Sequence, residues 1–212
     1  NDANTATSAL TVALSDTVLG RRNLLTHTED FSNAAWTKYA AGAGSTPVVT
    51  SNYAASPFGE LTADRIQVSL NGGTSISYYS AAAQSYTFTE GVYTNSFWVK
   101  TTDGSSKSIV VRIAGGLTTK IDIDGTWRRV SNSPTMTAGL GTLYIGLRGG
   151  YGGSDSVDFL IWGAQLELGS VATDYQKIVS APAYCTLARS TPEGVTFTEN
   201  TEITPTYNIA PA

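Results

Sequence analysis

Six stretches of this chain alternate apolar and polar side chains with a period of two. They are DRIQVSL (64–70), YTNSFWVK (93–100), KSIVVRIAG (107–115), GTWRRVS (125–131), TLYIGLR (142–148) and VDFLIWGAQLEL (157–168). Successive side chains of a strand point to opposite faces, so this pattern builds half-buried strands rather than amphipathic helices. Turn chemistry separates the runs: NGG at 71–73, DGSS at 103–106, DG at 124–125 and GGYGG at 149–153. Short strands, glycine-rich turns and no intervening helical pattern predict an all-β chain, an antiparallel sandwich or barrel. Charged residues supply only 14% of the chain and hydrophobic ones 41%, which suits strands packed around an ample core.

At 212 residues there is room for one large all-β domain, or a smaller one with extensions. The period-two pattern holds from Asn23 to Lys177, which predicts a domain over 23–177. Residues 1–22 read as an N-terminal arm or assembly segment. Leu10, Leu14 and Val18 recur at helical spacing behind Ser8 as a cap, although Leu10, Val12 and Leu14 also alternate as in a strand. Residues 178–212 read as a Pro-rich C-terminal arm or linker in which only GVTFTE (194–199) looks like a strand. The stretch ALTVAL (9–14) is too short to span a bilayer, so no membrane insertion is expected from it. With Asn at position 1 the chain reads as processed or excised, and missing targeting signals carry no weight.

Chemistry is constrained by scarcity. His27 is the only histidine and Cys185 the only cysteine, so no intrachain disulfide forms and no Cys-rich metal knuckle exists. Folding then relies on burial, as in chains made in a reducing compartment. A Ser–His or Cys–His system has one base to draw on, remote in sequence from Cys185. Zinc lacks its ligands, and the glycines of 139–153 match no phosphate-binding fingerprint. A net charge of −4 speaks against wrapping by nucleic acid. Paired carboxylates for glycoside hydrolysis are not visible in a sequence, and a Tyr/Arg-based lyase is conceivable but unsupported. The expectation is a chain that is not an enzyme.

The blocks NLL…EDFSNAAWTK (23–38), SPFGELTADRI (56–66), YTNSFWVKT (93–101), GTWRRVS and FLIWGAQLELGSVATDYQ (159–176), in that order, resemble a group of jelly-roll modules. These are similar to carbohydrate-binding modules and are common in phage tail and other virion proteins. The resemblance implies an antiparallel jelly-roll β-sandwich whose first and last blocks lie near each other. It also implies a structural calcium held between an acidic residue of the first block, here Glu29 or Asp30, and an aspartate in the last strand. Gly163 and Ala164 stand where that aspartate is wanted, so no cofactor is assigned. Asp122 and Asp124, about 6.8 Å apart on one face of a strand, offer hard oxygens, but a solvated strand end before a turn explains them as well.

Alternation assigns faces. Phe97 and Val99 fall on one side of their run, Ile109, Val111 and Ile113 on one side of theirs, and Leu143, Ile145 and Leu147 likewise; these are the expected core. The opposite set is Trp98, Lys100, Arg112, Tyr144 and Arg148, the expected ligand-binding residues. Aromatic rings stack on the C–H faces of sugars and the cations meet hydroxyls or carboxylates. Three cations on an otherwise acidic protein suit an acidic or sulfated glycan. If the runs flanking DGSS pair as a hairpin, Trp98 and Arg112 are neighbours on one face. The competing reading buries Trp98 under a loop, an arm or another subunit, and then the Tyr151 loop is the next place to look. Trp36, Trp127 and Trp162 read as structural.

The functional expectation is a sugar-binding or adhesion module at the surface of a phage virion, made in the host cytoplasm and recognising a bacterial surface polysaccharide. It would sit among other virion proteins as a homo-oligomer, a trimer if it belongs to a fibre. Two alternatives stand beside it: a purely structural virion module, and an ancillary module of a secreted polysaccharide-degrading enzyme.

Overall fold

The computed structural model describes residues 23–180 in full and the backbone of 185–190 and 196–201. The expected arm over 1–22 lies outside the described residues, as does the rest of the C-terminal arm. Every regular element described is a strand: β1 (Thr37–Ala41), β2 (Val48–Ala54), β3 (Ala63–Ser69), β4 (Tyr79–Phe88), β5 (Gly91–Thr101), β6 (Lys107–Ile113), β7 (Thr118–Ile123), β8 (Arg128–Asn132), β9 (Thr135–Met136), β10 (Gly139–Arg148), β11 (Ser156–Leu168), β12 (Cys185–Ser190) and β13 (Thr196–Thr201). Contacts divide the chain into two compact units, Arg22–Ala181 and a second one made of the terminal segments. In the second, β12 pairs antiparallel with β13, so the tail holds two strands where its prolines had suggested one.

Within Arg22–Ala181 the strands form an antiparallel jelly-roll β-sandwich. One sheet has the order β1-β4-β10-β6-β7 and the other β2-β3-β11-β5-β8, with β9 adding to the start of β5. The residues assigned to the core by alternation are there: Phe97 and Val99, Ile109, Val111 and Ile113, and Leu143, Ile145 and Leu147 are all at or below 1% exposure. Phe159, Ile161 and Ile66 join Phe97 and Val99 on the six-stranded sheet, facing the Ile109, Val111, Ile113, Leu143, Ile145 and Leu147 side chains of the other. Leu25, Phe31 and Trp36 close one end, with the rings of Phe31 and Trp36 4.6 Å apart.

The strand β4 escapes alternation because its run YSAAAQSYTF puts alanine on both faces. Ala81 and Ala83 are as buried as Ala82, so no contrast marks the core side. In β11 strict alternation fails for a different reason. Trp162 pairs with Trp98 and Gln165 with Ser96, so two residues, Gly163 and Ala164, oppose Phe97 alone. This is a bulge with Gly163 at φ 65°. It shifts the strand's parity, so that Ala164 and Leu166 face the core after Ile161 while Gln165 and Glu167 do not.

The first and last blocks are joined by polar groups. Buried Asn23 donates through Nδ2 to the carbonyls of Ala164 and Gln176, both at 2.9 Å, and its Oδ1 accepts from Leu25 N and Leu166 N. The Thr28 hydroxyl meets Tyr175 Oη at 2.7 Å, and Thr28 N donates to the Ile178 carbonyl. Glu167, 2% exposed, accepts from Thr173 N, Thr173 Oγ1 and Gln165 Nε2. The polar residues of NLL and of QLELGSVATDYQ therefore act as the clasp of the sandwich.

Candidate functional site

The expected hairpin between β5 and β6 does not exist. Strand β5 has β11 on one edge and β8 on the other, whereas β6 lies between β10 and β7 in the opposite sheet. Both edges of β5 being taken, DGSS carries the chain from one sheet to the other. Asp103 Oδ1 accepts from Ser105 N and Ser105 Oγ, and Gly104 adopts φ 77° to make that crossing. Trp98 and Arg112 are thus on opposite outer faces, and the five expected ligand residues divide into two sets.

Trp98 and Lys100 belong to the six-stranded sheet. Trp98 is partly buried in an aromatic cluster, with ring centroids 5.3 Å from Trp162, 5.6 Å from Phe58 and 5.9 Å from Tyr175. The Arg129 guanidinium lies 4.6 Å over its indole and is tied to Ser96 Oγ and to the Thr173 carbonyl. Trp162 is 6% exposed and donates its indole N–H to Thr62 Oγ1. Burial pushes the Tyr175 hydroxyl well above the ordinary phenol range. Lys100 sits 5.3 Å from the Trp127 ring. The loop that follows β11 therefore closes over this face.

Arg112, Tyr144 and Arg148 belong to the outer face of the five-stranded sheet, and here the structure adds two residues that alternation missed. Register places Tyr144 opposite Ala83 and Arg112, Arg148 opposite Tyr79, and Tyr39 opposite Ala81. The rings of Tyr39, Tyr79 and Tyr144, from three adjacent strands, form a triangle with centroids 5.6, 5.2 and 5.4 Å apart. Its floor is small: Ala81 and Ala83 lie beneath, and a Cβ at Gly146 would come within 2.4 Å of the Ser80 carbonyl oxygen. Tyr39 and Tyr79 were hidden because β1 and β4 carry no clear alternation; the spacing Tyr79–Ala81–Ala83 was the available signal.

Cations rim the triangle. The Arg112 guanidinium is 5.8 Å over Tyr144 and that of Arg148 5.0 Å over Tyr79. Burial pushes the Tyr79 hydroxyl up, while Arg112 and Arg148 pull it back. Arg148 is fixed by donating through Nε to the Ile76 carbonyl and through Nη1 to Thr118 Oγ1 and Tyr151 Oη. Tyr151 stacks on the same guanidinium at 4.6 Å, so the loop carrying it forms one end of this face. Beside it lies a cleft of about 420 Å³ lined by the turns 70–74 and 148–155, Arg148 among them.

The residues expected around a calcium ion do not fit one. Glu29 Oε2 takes the Lys177 ammonium at 2.7 Å, and its Oε1 accepts from Tyr175 Oη. Asp30 Oδ1 accepts from Ser32 N, Ser32 Oγ and Asn33 N as a turn cap. The positive charge in this corner comes from Lys177 and from Lys38, whose ammonium donates to the carbonyls of Ser32, Asn33 and Trp36. Asp122 is held by Ser108 Oγ and Lys120, and Asp124 caps Thr126 N. Among the described residues no group of three or more His, Cys, Asp or Glu side chains is placed to hold a metal.

No protein-family model matches this chain and no curated protein matches it. Solved structures do resemble it. The CBM22-1 xylan-binding domain of Paenibacillus barcinonensis Xyn10C is similar over 73% of this chain and 98% of its own, at 20% identity and a TM-score of 0.47. TmCBM61, solved with β-1,4-galactotriose, is similar over 70% of this chain and 100% of its own, at 16% identity and a TM-score of 0.45. The enzymatically active domain of tailspike protein 4 of bacteriophage CBA120 is similar over 70% of this chain and 22% of its own, at 10% identity and a TM-score of 0.42. These are likenesses of backbone course; the sandwich itself is defined by the strand order and registers above.

Proposed function

We propose that this chain is a non-enzymatic carbohydrate-binding module whose ligand lies across the outer face of the five-stranded sheet. The observation that carries this reading is the Tyr39–Tyr79–Tyr144 triangle, built on a floor of Ala and Gly and rimmed by Arg112 and Arg148. Tyr39 and Tyr144 are partly exposed and can accept sugar C–H groups, with the buried Tyr79 backing them, and guanidinium N–H groups donate to hydroxyls without needing a catalytic base. The other outer face offers less, since Trp98 is closed in by Trp162, Tyr175, Phe58 and Arg129. The biological setting we infer is the surface of a phage virion, where the module recognises a bacterial surface polysaccharide beside other virion proteins, in a homo-oligomer. Support for that setting is the sequence frame running from NLL to ATDYQ.

Binding of the full chain to an array of bacterial capsular and O-antigen polysaccharides tests the reading. Tyr144→Ala should weaken any glycan it retains roughly five- to tenfold, since an aromatic contact of this kind contributes about 1–1.5 kcal/mol. The melting temperature should fall only modestly, through lost contacts with Tyr39 and Tyr79, with the fold retained because Tyr144 stands outside the core. If Trp98→Ala abolishes binding and Tyr144→Ala does not, the ligand lies on the other face.

A further inference from the structure

Charge on the tyrosine face is not balanced by the protein. Four cations of the described residues pair with carboxylates, Arg65 with Asp158, Lys120 with Asp122, Arg128 with Asp124 and Lys177 with Glu29, while Arg129 on the other outer face is spent on Ser96 Oγ and the Thr173 carbonyl. Arg112 and Arg148 have no carboxylate partner among the described residues. Both are partly buried and both lie against the ring of a Tyr79–Tyr144 pair whose centroids are 5.4 Å apart. The single acid that register brings to this face, Asp122, is occupied by Lys120 at 3.2 Å and Ser108 Oγ at 2.6 Å. Asp155, in the adjoining cleft, accepts from Gly72 N at 2.7 Å. Two arginines without an ion pair among the described residues, brought together on one aromatic face, offer counter-charge to a ligand.

Resting on the carbohydrate reading above, we infer that the ligand is an anionic glycan, and that Arg112 and Arg148 grip its carboxylate or sulfate ester while the tyrosines take the ring. The Arg112 guanidinium fork matches either group with two parallel N–H···O bonds, Arg148 adds a bond from Nη2 since its Nε and Nη1 are engaged, and partial desolvation by the rings strengthens both contacts. Arg148 is already oriented by Ile76, Thr118 and Tyr151, so little side-chain entropy is lost when it engages. Lys100 takes no part, being on the opposite face.

The test immobilises bacterial polysaccharides in native, carboxyl-reduced and desulfated forms and measures retention of the full chain. The expected result is that retained glycans are anionic and that removing the anion weakens binding about tenfold or more, as does Arg112→Gln. Arg112→Lys should restore part of the loss, and binding should fall as salt rises, because the attraction is screened. Carboxyl reduction and desulfation tell which anion is read. Arg148→Gln is a second variant, with the melting temperature as its control because Arg148 also holds the Tyr151 loop. Equal retention of native and neutralised glycans, or an unchanged Arg112→Gln, overturns the anionic ligand and leaves sugar binding standing. Retention of no glycan at all sinks the carbohydrate reading and this inference with it.

Discussion

Asp64 shows how much one side chain decides in this sandwich. It is fully buried, and its two oxygens accept from Phe31 N at 2.7 Å and Asn52 N at 2.8 Å, tying the first block to β2. Burial, offset by those two hydrogen bonds, pushes its carboxyl up to about 6. The folded chain therefore holds this proton more tightly than the unfolded one. The resulting stability is present below the ordinary carboxylate pKa near 3.8 and is lost as pH rises through about 6. Asp64→Asn cannot accept from both amides, because its NH2 group faces one of them; a loss of about 1–3 kcal/mol is expected. Thermal melts of both proteins between about pH 4 and 7.5 check this, with the gap wider at the acid end. A gap independent of pH would show that Asp64 does not titrate in that window. Trp98 belongs to the same scale. Removing its ring from among Trp162, Phe58, Tyr175 and Arg129 should cost about 2 kcal/mol or more and loosen the loop after β11. A Trp98→Ala protein with unchanged melting temperature would contradict that packing.

At the scale of the strand, β11 is the element on which most depends. Its bulge at Gly163 lets one strand keep Phe159 and Ile161 in the core, then Ala164 and Leu166, while sending Ala164 N to the Thr28 carbonyl. The conformation at φ 65° disfavours any side chain, and a Cβ there would lie 3.2 Å from the Trp98 ring. Gly163→Ala should cost about 1–2 kcal/mol, read as a lower denaturant midpoint with an unchanged slope. An unaffected midpoint would mean that the bulge relaxes without cost. Strand β4 makes the complementary point. Its alanines make room on the outer face for Tyr39 and Tyr144, and that same lack of bulk on both sides hides it from alternation.

For the molecule as a whole, closure depends on joining its two ends. Asn23 connects Leu25, Ala164, Leu166 and Gln176 through one side chain, and Thr28 reaches as far as Ile178. We expect residues 23–180 to fold alone with a cooperative thermal transition; a chain of that length that shows none would overturn this. Asn23→Ala in it should cost about 3 kcal/mol or more, since several buried backbone groups lose their partners at once.

Sequence by itself determined the all-β class, six strands and the core. A period of two is a local property, and Phe97, Ile109 or Ile145 must turn inward whichever sheet they join. It also marked Arg112, Tyr144 and Arg148 as outward-facing. Which outward residues share a surface was decided by tertiary structure alone. Partner choice between strands depends on closing two edges at once, and DGSS reads the same whether it makes a hairpin or crosses between sheets. So Trp98 was parted from Arg112 by the position of β8 and β11, and Tyr39 and Tyr79 were brought to Tyr144 by β1 and β4, whose alanines carry too little contrast in hydrophobicity to declare a face.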